Sequence, residues 1–200
     1  PATILYDKHL ASGYMSTQPF DDSQLSIDRG SRFQSNSGQY ERYEFNGSPV
    51  SPRSIPGEEG GIFWTSSDEH QQDGHISEGI GNRMAMQQKR MSKLQLILDE
   101  YPAEEQVKVF GNPQGKAALV TWGSNKGPFL DTLEYSEDDV FQDIRLIQIR
   151  LLNPFPVKRL LETLEGAKNI FVAEQNYTAQ LAGLIQENID VRVNSRLLKY

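Results

Sequence analysis

Two imidazoles and three carboxylates fall within eight consecutive positions in Asp68-Glu69-His70 and Asp73-Gly74-His75. Imidazole nitrogen and carboxylate oxygen are the ligands zinc and related divalent ions take, so the stretch is a candidate metal site. Its spacing differs from the HExxH pattern that sets two histidines on one helix face, and Gly74 argues for a loop. The reading preferred from the residues is therefore a polar turn, with His70 and His75 hydrogen-bonded to a neighbouring subunit and no metal bound.

A second candidate is Gly123-Ser124-Asn125-Lys126-Gly127, which follows the apolar run Ala117 to Trp122 and opens a helical stretch. Backbone amides and the positive end of a helix at that point would face an anion at the carboxyl edge of a sheet. Gly123, Ser124, Lys126 and Gly127 are the residues that would serve it. No GxGxxG accompanies them, and a tight strand-to-helix turn built from small residues explains the same sequence. Gly111 to Ala117 is not a phosphate loop. Three residues rather than four separate its glycines, and Ala117 stands where a magnesium-binding hydroxyl is needed; a hairpin-like turn is expected.

Arg53 sits in Ser51-Pro52-Arg53-Ser54-Ile55-Pro56-Gly57, where the prolines restrict the backbone and would present the guanidinium in a set geometry. Glu174, with Gln175 and Asn176 after it, ends a predicted strand, where functional residues of open α/β sheets sit. No serine lies in a GxSxG elbow. There is no catalytic constellation to name.

Composition narrows the chemistry further. Among 200 residues there is no cysteine, so no thiolate is available for an iron–sulfur cluster or a cysteine zinc site. The same absence fits a reducing, cytoplasmic setting. A net charge of −7 disfavours a nucleic-acid phosphate backbone as partner. Mean hydropathy is −0.57, and no apolar run reaches the length of a membrane span. The start, PATILYDKHL, lacks the basic and apolar regions of a signal peptide.

Positioning these residues falls to two textures of chain. Ala2 to Tyr6 reads as a short buried strand and His9 to Met15 as a stub of helix. Residues 13–81 are rich in Gly, Ser, Pro, Gln and Asp but carry Phe20, Phe33, Tyr40, Tyr43, Phe45, Phe63 and Trp64. Aromatics are rare in disordered segments, so an extended arm packed on a surface outside this sequence is expected. A helix follows from Asn82, as N-cap, to Tyr101; it carries Arg83 and a basic cluster of Lys89, Arg90 and Lys93 read as a solvated face. Pro102 stops it.

Beyond Pro102, strands at Gln106–Phe110, Ala117–Trp122, Arg145–Ile149, Ile170–Glu174 and Asp190–Val193 alternate with helices at Gly127–Leu133, Pro156–Leu164 and Thr178–Glu187. That alternation predicts an α/β domain, a mostly parallel sheet covered by helices on both faces. The predicted division is 1–101, a domain remnant with arm and helix, and 102–200, the α/β domain.

The segments together resemble one family. They are Ile4 to Ala11, Ser51 to Gly57, Asp68 to His75, Asn82-Arg83-Met84 with Lys89-Arg90-Met91, Trp122 to Pro128, Gln148-Ile149-Arg150 with Asn153-Pro154-Phe155-Pro156, and Val172 to Leu181. In this order they resemble the carboxy-terminal part of the alpha subunit of 2-oxoacid:ferredoxin oxidoreductases. Glu174-Gln175-Asn176-Tyr177-Thr178 with Gln180-Leu181 is the most specific element. Asn125 stands where the family more often has Thr, and Ala179 where it has Gly.

The resemblance implies a thiamine-diphosphate enzyme that oxidatively decarboxylates a 2-oxoacid to an acyl-CoA and passes electrons to ferredoxin. It implies a hetero-oligomer whose beta subunit holds the diphosphate, magnesium and a 4Fe–4S cluster. This chain would run from the end of a pyrimidine-binding domain, through a connecting arm, into a transketolase C-terminal-like domain. The family's Tyr-Pro-Ile-Thr signature and the GDG motif of diphosphate-binding chains are absent, so no catalytic residue carries over. The chain alone is expected to be inactive and to bind no cofactor, with Arg53, His70, His75, Asn82 and Arg83 supporting an interface or active site. Two other readings stand beside this one: a stand-alone α/β module binding an anion or nucleotide, and the C-terminal domain of a dehydrogenase E1 beta-type chain. The 2-oxoacid is not specified by the residues.

Overall fold

The computed structural model describes residues 3–35 and 38–200. The chain divides into two compact units, Pro1–Leu96 and Ile97–Tyr200.

The second unit is built on a five-stranded sheet of β1 (Val107–Gly111), β2 (Ala117–Trp122), β3 (Ile144–Ile149), β4 (Asn169–Glu174) and β5 (Ser195–Leu198). Their order is β1-β3-β2-β4-β5, with β1 antiparallel and the rest parallel. The helices are α3 (Ala103–Gln106), α4 (Lys126–Tyr135), α5 (Val157–Leu164) and α6 (Gln180–Asn188). Strand side chains alternate between the faces. Ala118, Val120, Ile147, Ile149, Ile170 and Val172 bury against Leu160 and Leu164 of α5 and Leu181, Ala182 and Ile185 of α6. The opposite face, with Leu119, Leu146 and Phe171, shares an apolar cleft of about 370 Å³ with Phe129 and Leu133 of α4. Crossovers of one hand put helices on opposite faces when the chain moves in opposite directions across the sheet. The step from β2 to β3 runs one way with α4, and the steps to β4 and β5 run the other way with α5 and α6. The expected α/β architecture, mostly parallel and covered on both faces, is the observed one.

Three expectations in this unit fail. Asp190–Val193 is not a strand: the chain pairs with β4 only from Ser195, after the Asn194 amide and side chain have bonded Ile170. The turn at 111–117 is not a hairpin, because β3 lies between β1 and β2. Gly111 (φ +73°) and Gly115 instead let that turn pass against the backbone of Asp143 and Ile144, where a Cβ would collide with their carbonyls. Gln106 ends α3 rather than starting β1. Its buried amide donates to the Leu98 and Tyr101 carbonyls at 3.0 and 2.6 Å and so caps the preceding helix.

Buried Arg145 is a second polar strut. Its guanidinium donates to the carbonyls of Thr163 (2.6 Å) and Glu165 (2.9 Å) at the end of α5, and to that of Gly115 (2.9 Å). A hydrophobic residue at that strand position would leave those carbonyls without their donor.

The first unit contains α1 (Lys8–Ser12) and most of α2 (Ile80–Glu100). Residues 3–7 form no strand and are exposed; Ala2 lies outside the described residues. Among the described residues no neighbouring strand takes up their backbone groups, which is why an apolar run alone does not make one. Residues 31–79 are not a uniformly extended arm. They knit to themselves around buried Phe33 and Tyr40, whose rings meet at 4.8 Å, with Phe63 at 5.6 Å from Tyr40. The Tyr40 hydroxyl donates to Pro52 O and accepts from the Ser54 amide, both at 3.1 Å.

Candidate functional site

Each unit carries its own group of candidate residues. In the first, Arg53 pairs with Arg32 in an isolated parallel bridge, and its guanidinium donates to Arg29 O. It therefore ties two stretches of loop together. The proline-braced segment turns the arginine toward its own chain, where the bond to Arg29 O occupies its guanidinium.

Asp68 to His75 is a closed turn. Ser66 N donates to Gly74 O at 3.0 Å and Gln71 N to His75 O at 2.8 Å. Gly74 (φ +98°) is required, since a Cβ there would overlap the Trp64 carbonyl. The turn is anchored on α2 by Arg90, whose two terminal nitrogens reach the Glu69 carboxylate at 3.2 and 2.6 Å. Those bonds hold the Glu69 carboxyl below its ordinary value, and they raise the Arg90 guanidinium in turn. Asn82 lies inside the helix rather than at its cap; its side-chain amide donates to His70 O at 2.9 Å. Arg83 is exposed on the same helix. His70 stacks against Tyr43 at 4.0 Å between ring centres. Among the described residues, no group of three or more His, Asp or Glu is placed to hold a metal ion.

The basic cluster of α2 does structural work that its sequence did not disclose. Lys89 donates to Glu44 O at 2.7 Å and Ser48 O at 2.9 Å and lies over the Phe45 ring. Burial, and then the neighbouring Lys93, push its ammonium below the usual lysine range.

In the second unit, the candidate turn and Glu174 come together at the carboxyl edge of the sheet. β2 and β4 are adjacent and parallel, and their following helices lie on opposite faces, so the chain diverges between them. Such switch points are where open α/β sheets place ligands. From β2, a single 3₁₀ turn at Gly123–Asn125 leads into α4. Gly123 adopts φ +62°, and Gln148 donates to its carbonyl at 3.1 Å. No side chain caps α4, and the Lys126 ammonium lies over the Phe110 ring at 5.7 Å. Ser124 is exposed and Gly127 is half-buried.

Across the divide, Glu174 is 2% exposed. Its carboxylate accepts from the amides of Leu181 (2.7 Å) and Ala182 (3.1 Å) and from the Asn176 side chain (2.5 Å). Asn176 Oδ1 in turn accepts from the Gln180 amide at 3.1 Å, and Gln175 is exposed. The negative charge sits on the positive end of α6 and saturates it. Glu174 and Asn176 are thus an internal cap, and the amides they occupy are not available to an external anion. Ala179 just before α6 adopts φ +56°, the left-handed conformation that favours glycine.

Comparison with known proteins follows the same lines. No family model matches the chain. The 2-oxoacid:ferredoxin oxidoreductase 1 subunit alpha of Sulfurisphaera tokodaii is 35% identical over 203 residues, covering 100% of this chain and 31% of that protein. The 2-oxoacid:ferredoxin oxidoreductase 2 subunit alpha of Aeropyrum pernix is 33% identical over 201 residues, again covering 100% of this chain and 31% of the relative. This chain therefore spans about a third of the length of the curated relatives it matches. A solved 2-oxoglutarate:ferredoxin oxidoreductase from Magnetococcus marinus superposes with a TM-score of 0.77 at 22% identity, over 90% of this chain and 32% of that one. That likeness supports the fold.

Proposed function

Because the chain is homologous over its whole length to 2-oxoacid:ferredoxin oxidoreductase alpha subunits, we propose that it forms part of the alpha subunit of a thiamine-diphosphate-dependent enzyme of that kind. The reaction would be oxidative decarboxylation of a 2-oxoacid to an acyl-CoA, with electrons passed to ferredoxin. The role of this stretch is assembly and support of the active site.

The observation that carries the assembly role is the exposure of large apolar side chains between residues 4 and 27. Ile4, Leu5, Tyr6, Tyr14, Met15, Phe20, Leu25 and Ile27 are each at least 69% exposed. Large apolar side chains in such numbers on one short stretch mark a surface meant to be covered. The partner in this reading is the beta subunit, which would bring the diphosphate, magnesium and iron–sulfur cluster. This chain has no cysteine to ligate an iron–sulfur cluster, and no metal-holding group occurs among the described residues. No chemical step is assigned to it.

Reconstitution tests the reading. An alpha subunit carrying this sequence, purified with its beta subunit, is expected to reduce ferredoxin or a viologen dye in the presence of a 2-oxoacid and coenzyme A. The 200-residue chain alone is expected to show no such activity. Absence of turnover with pyruvate, 2-oxoglutarate and branched-chain or aryl 2-oxoacids in the loaded complex would overturn it.

A further inference from the structure

His75 stands between a carboxylate and an indole. Its Nδ1 lies 3.0 Å from Asp73 Oδ2, and the Trp64 Nε1–H donates to its Nε2 at 2.9 Å. An indole nitrogen only donates, so Nε2 must be the bare, accepting nitrogen and Nδ1 must carry the proton given to Asp73. The neutral imidazole is therefore the form that closes this chain of bonds. Asp73 is held in place independently, because its Oδ1 accepts the His75 backbone amide at 2.9 Å. That bond comes first among the causes that keep its carboxyl ionised below the ordinary range.

The two limbs joined by this contact are anchored differently. Residues 69–77 are fixed to α2 through Glu69–Arg90 and Asn82–His70. Trp64 is 56% exposed; its ring meets the anchored limb at His75, while its backbone carbonyl lies against Gly74 and Ser66 N donates to Gly74 O. The charged group against His75 is Asp73. Farther along the turn, Glu69 faces Arg90 of α2 and His70, and Arg42 lies over the Tyr43 and Phe63 rings.

We propose that His75 is a proton-operated latch that holds Trp64 to the α2-anchored turn when neutral and releases it when protonated. A proton on Nε2 converts the acceptor into a second donor facing the indole N–H, and the bond is lost. Asp73 then serves as counter-ion to the imidazolium and holds it in place. The latch is closed while the imidazole is neutral and opens when acidification places a proton on Nε2.

The chain has two tryptophans, Trp64 and Trp122, so Trp122→Phe leaves one reporter. Acrylamide quenching of Trp64 in this variant is expected to increase sigmoidally, with a one-proton transition, as the solution is acidified. Far-UV dichroism should stay constant across the transition. Adding His75→Gln should abolish it, and Asp73→Asn should move its midpoint to lower pH by removing the counter-charge. A flat profile, an identical transition without His75, or a transition that coincides with loss of ellipticity would each overturn the proposal.

Discussion

The Glu174 carboxylate caps the helix that begins at Gln180 by accepting the Leu181 amide at 2.7 Å, seven positions along the chain. The end of β4 thereby fixes the start of α6, and the charge is compensated by N–H groups rather than by a cation. In Glu174→Gln the side chain keeps its size but offers one accepting oxygen and turns an NH₂ toward the amides of Leu181 and Ala182. A buried donor left unsatisfied costs about 1–3 kcal/mol, and the charged acceptor is lost as well. The variant is expected to lose about 2 kcal/mol or more of unfolding free energy in urea titrations, with faster amide exchange at Leu181 and Ala182.

Residue 179 is an alanine that occupies a glycine conformation. Ala179 pairs φ +56° with 5% exposure. The left-handed conformation costs an L-residue about 1–2 kcal/mol, whereas removing the buried methyl costs about 0.8 kcal/mol. Ala179→Gly is therefore expected to be neutral or stabilising by up to about 1 kcal/mol. Ala179→Val, β-branched at positive φ, should destabilise strongly. Urea midpoints of the two variants check the order, and a Gly variant clearly weaker than wild type contradicts it.

Arg145 is 3% exposed and bonds three carbonyls, two at the end of α5 and one in the turn before β2. Arg145→Met is expected to cost about 2–4 kcal/mol, since the carbonyls of Gly115, Thr163 and Glu165 lose their donors while the apolar volume is kept. Arg145→Lys should recover only part, because an ammonium cannot reproduce the planar fork. Equilibrium unfolding of both variants measures this.

The Glu69–Arg90 pair gives a pH dependence of definite sign. Glu69 is lowered from its ordinary value of 4.5 chiefly by the Arg90 hydrogen bond. Its contribution is fully present above that value and is lost as pH falls through the lower folded-state value. The pair is partly exposed, so its size is at most about 1 kcal/mol. Glu69→Gln should be less stable than wild type at pH 7, with the gap closing as the pH drops below 4.5. A gap that persists in acid would show that the ion pair is not its source.

These predictions fall on residues that were unequally legible in the sequence. Strand positions such as Ala117–Trp122 were readable because buried parallel strands are short apolar runs between turns. Glu174 was readable as a strand-end acid, but its role was not, since the amides it caps lie seven and eight positions away. Arg145 and Lys89 look like ordinary surface cations in one dimension; only the fold brings backbone carbonyls to them. Residues 31–79 were opaque for a related reason. Their order comes from scattered side-chain bonds, such as Tyr40 to Pro52 and Ser54, rather than from a periodic pattern. The last strand was misplaced to Asp190–Val193 because its apolar alternation is as good as that of Ser195–Leu198, and register against β4 decided between them.

In the proposed function, the exposed apolar side chains between Ile4 and Ile27 form an assembly surface of the alpha subunit. Hydrogen–deuterium exchange on that stretch, in the 200-residue chain alone and in the alpha–beta complex, tests it most directly. The account predicts rapid exchange in the isolated chain and strong protection in the complex, centred on Tyr14 to Ile27. Equal, rapid exchange in both would contradict it.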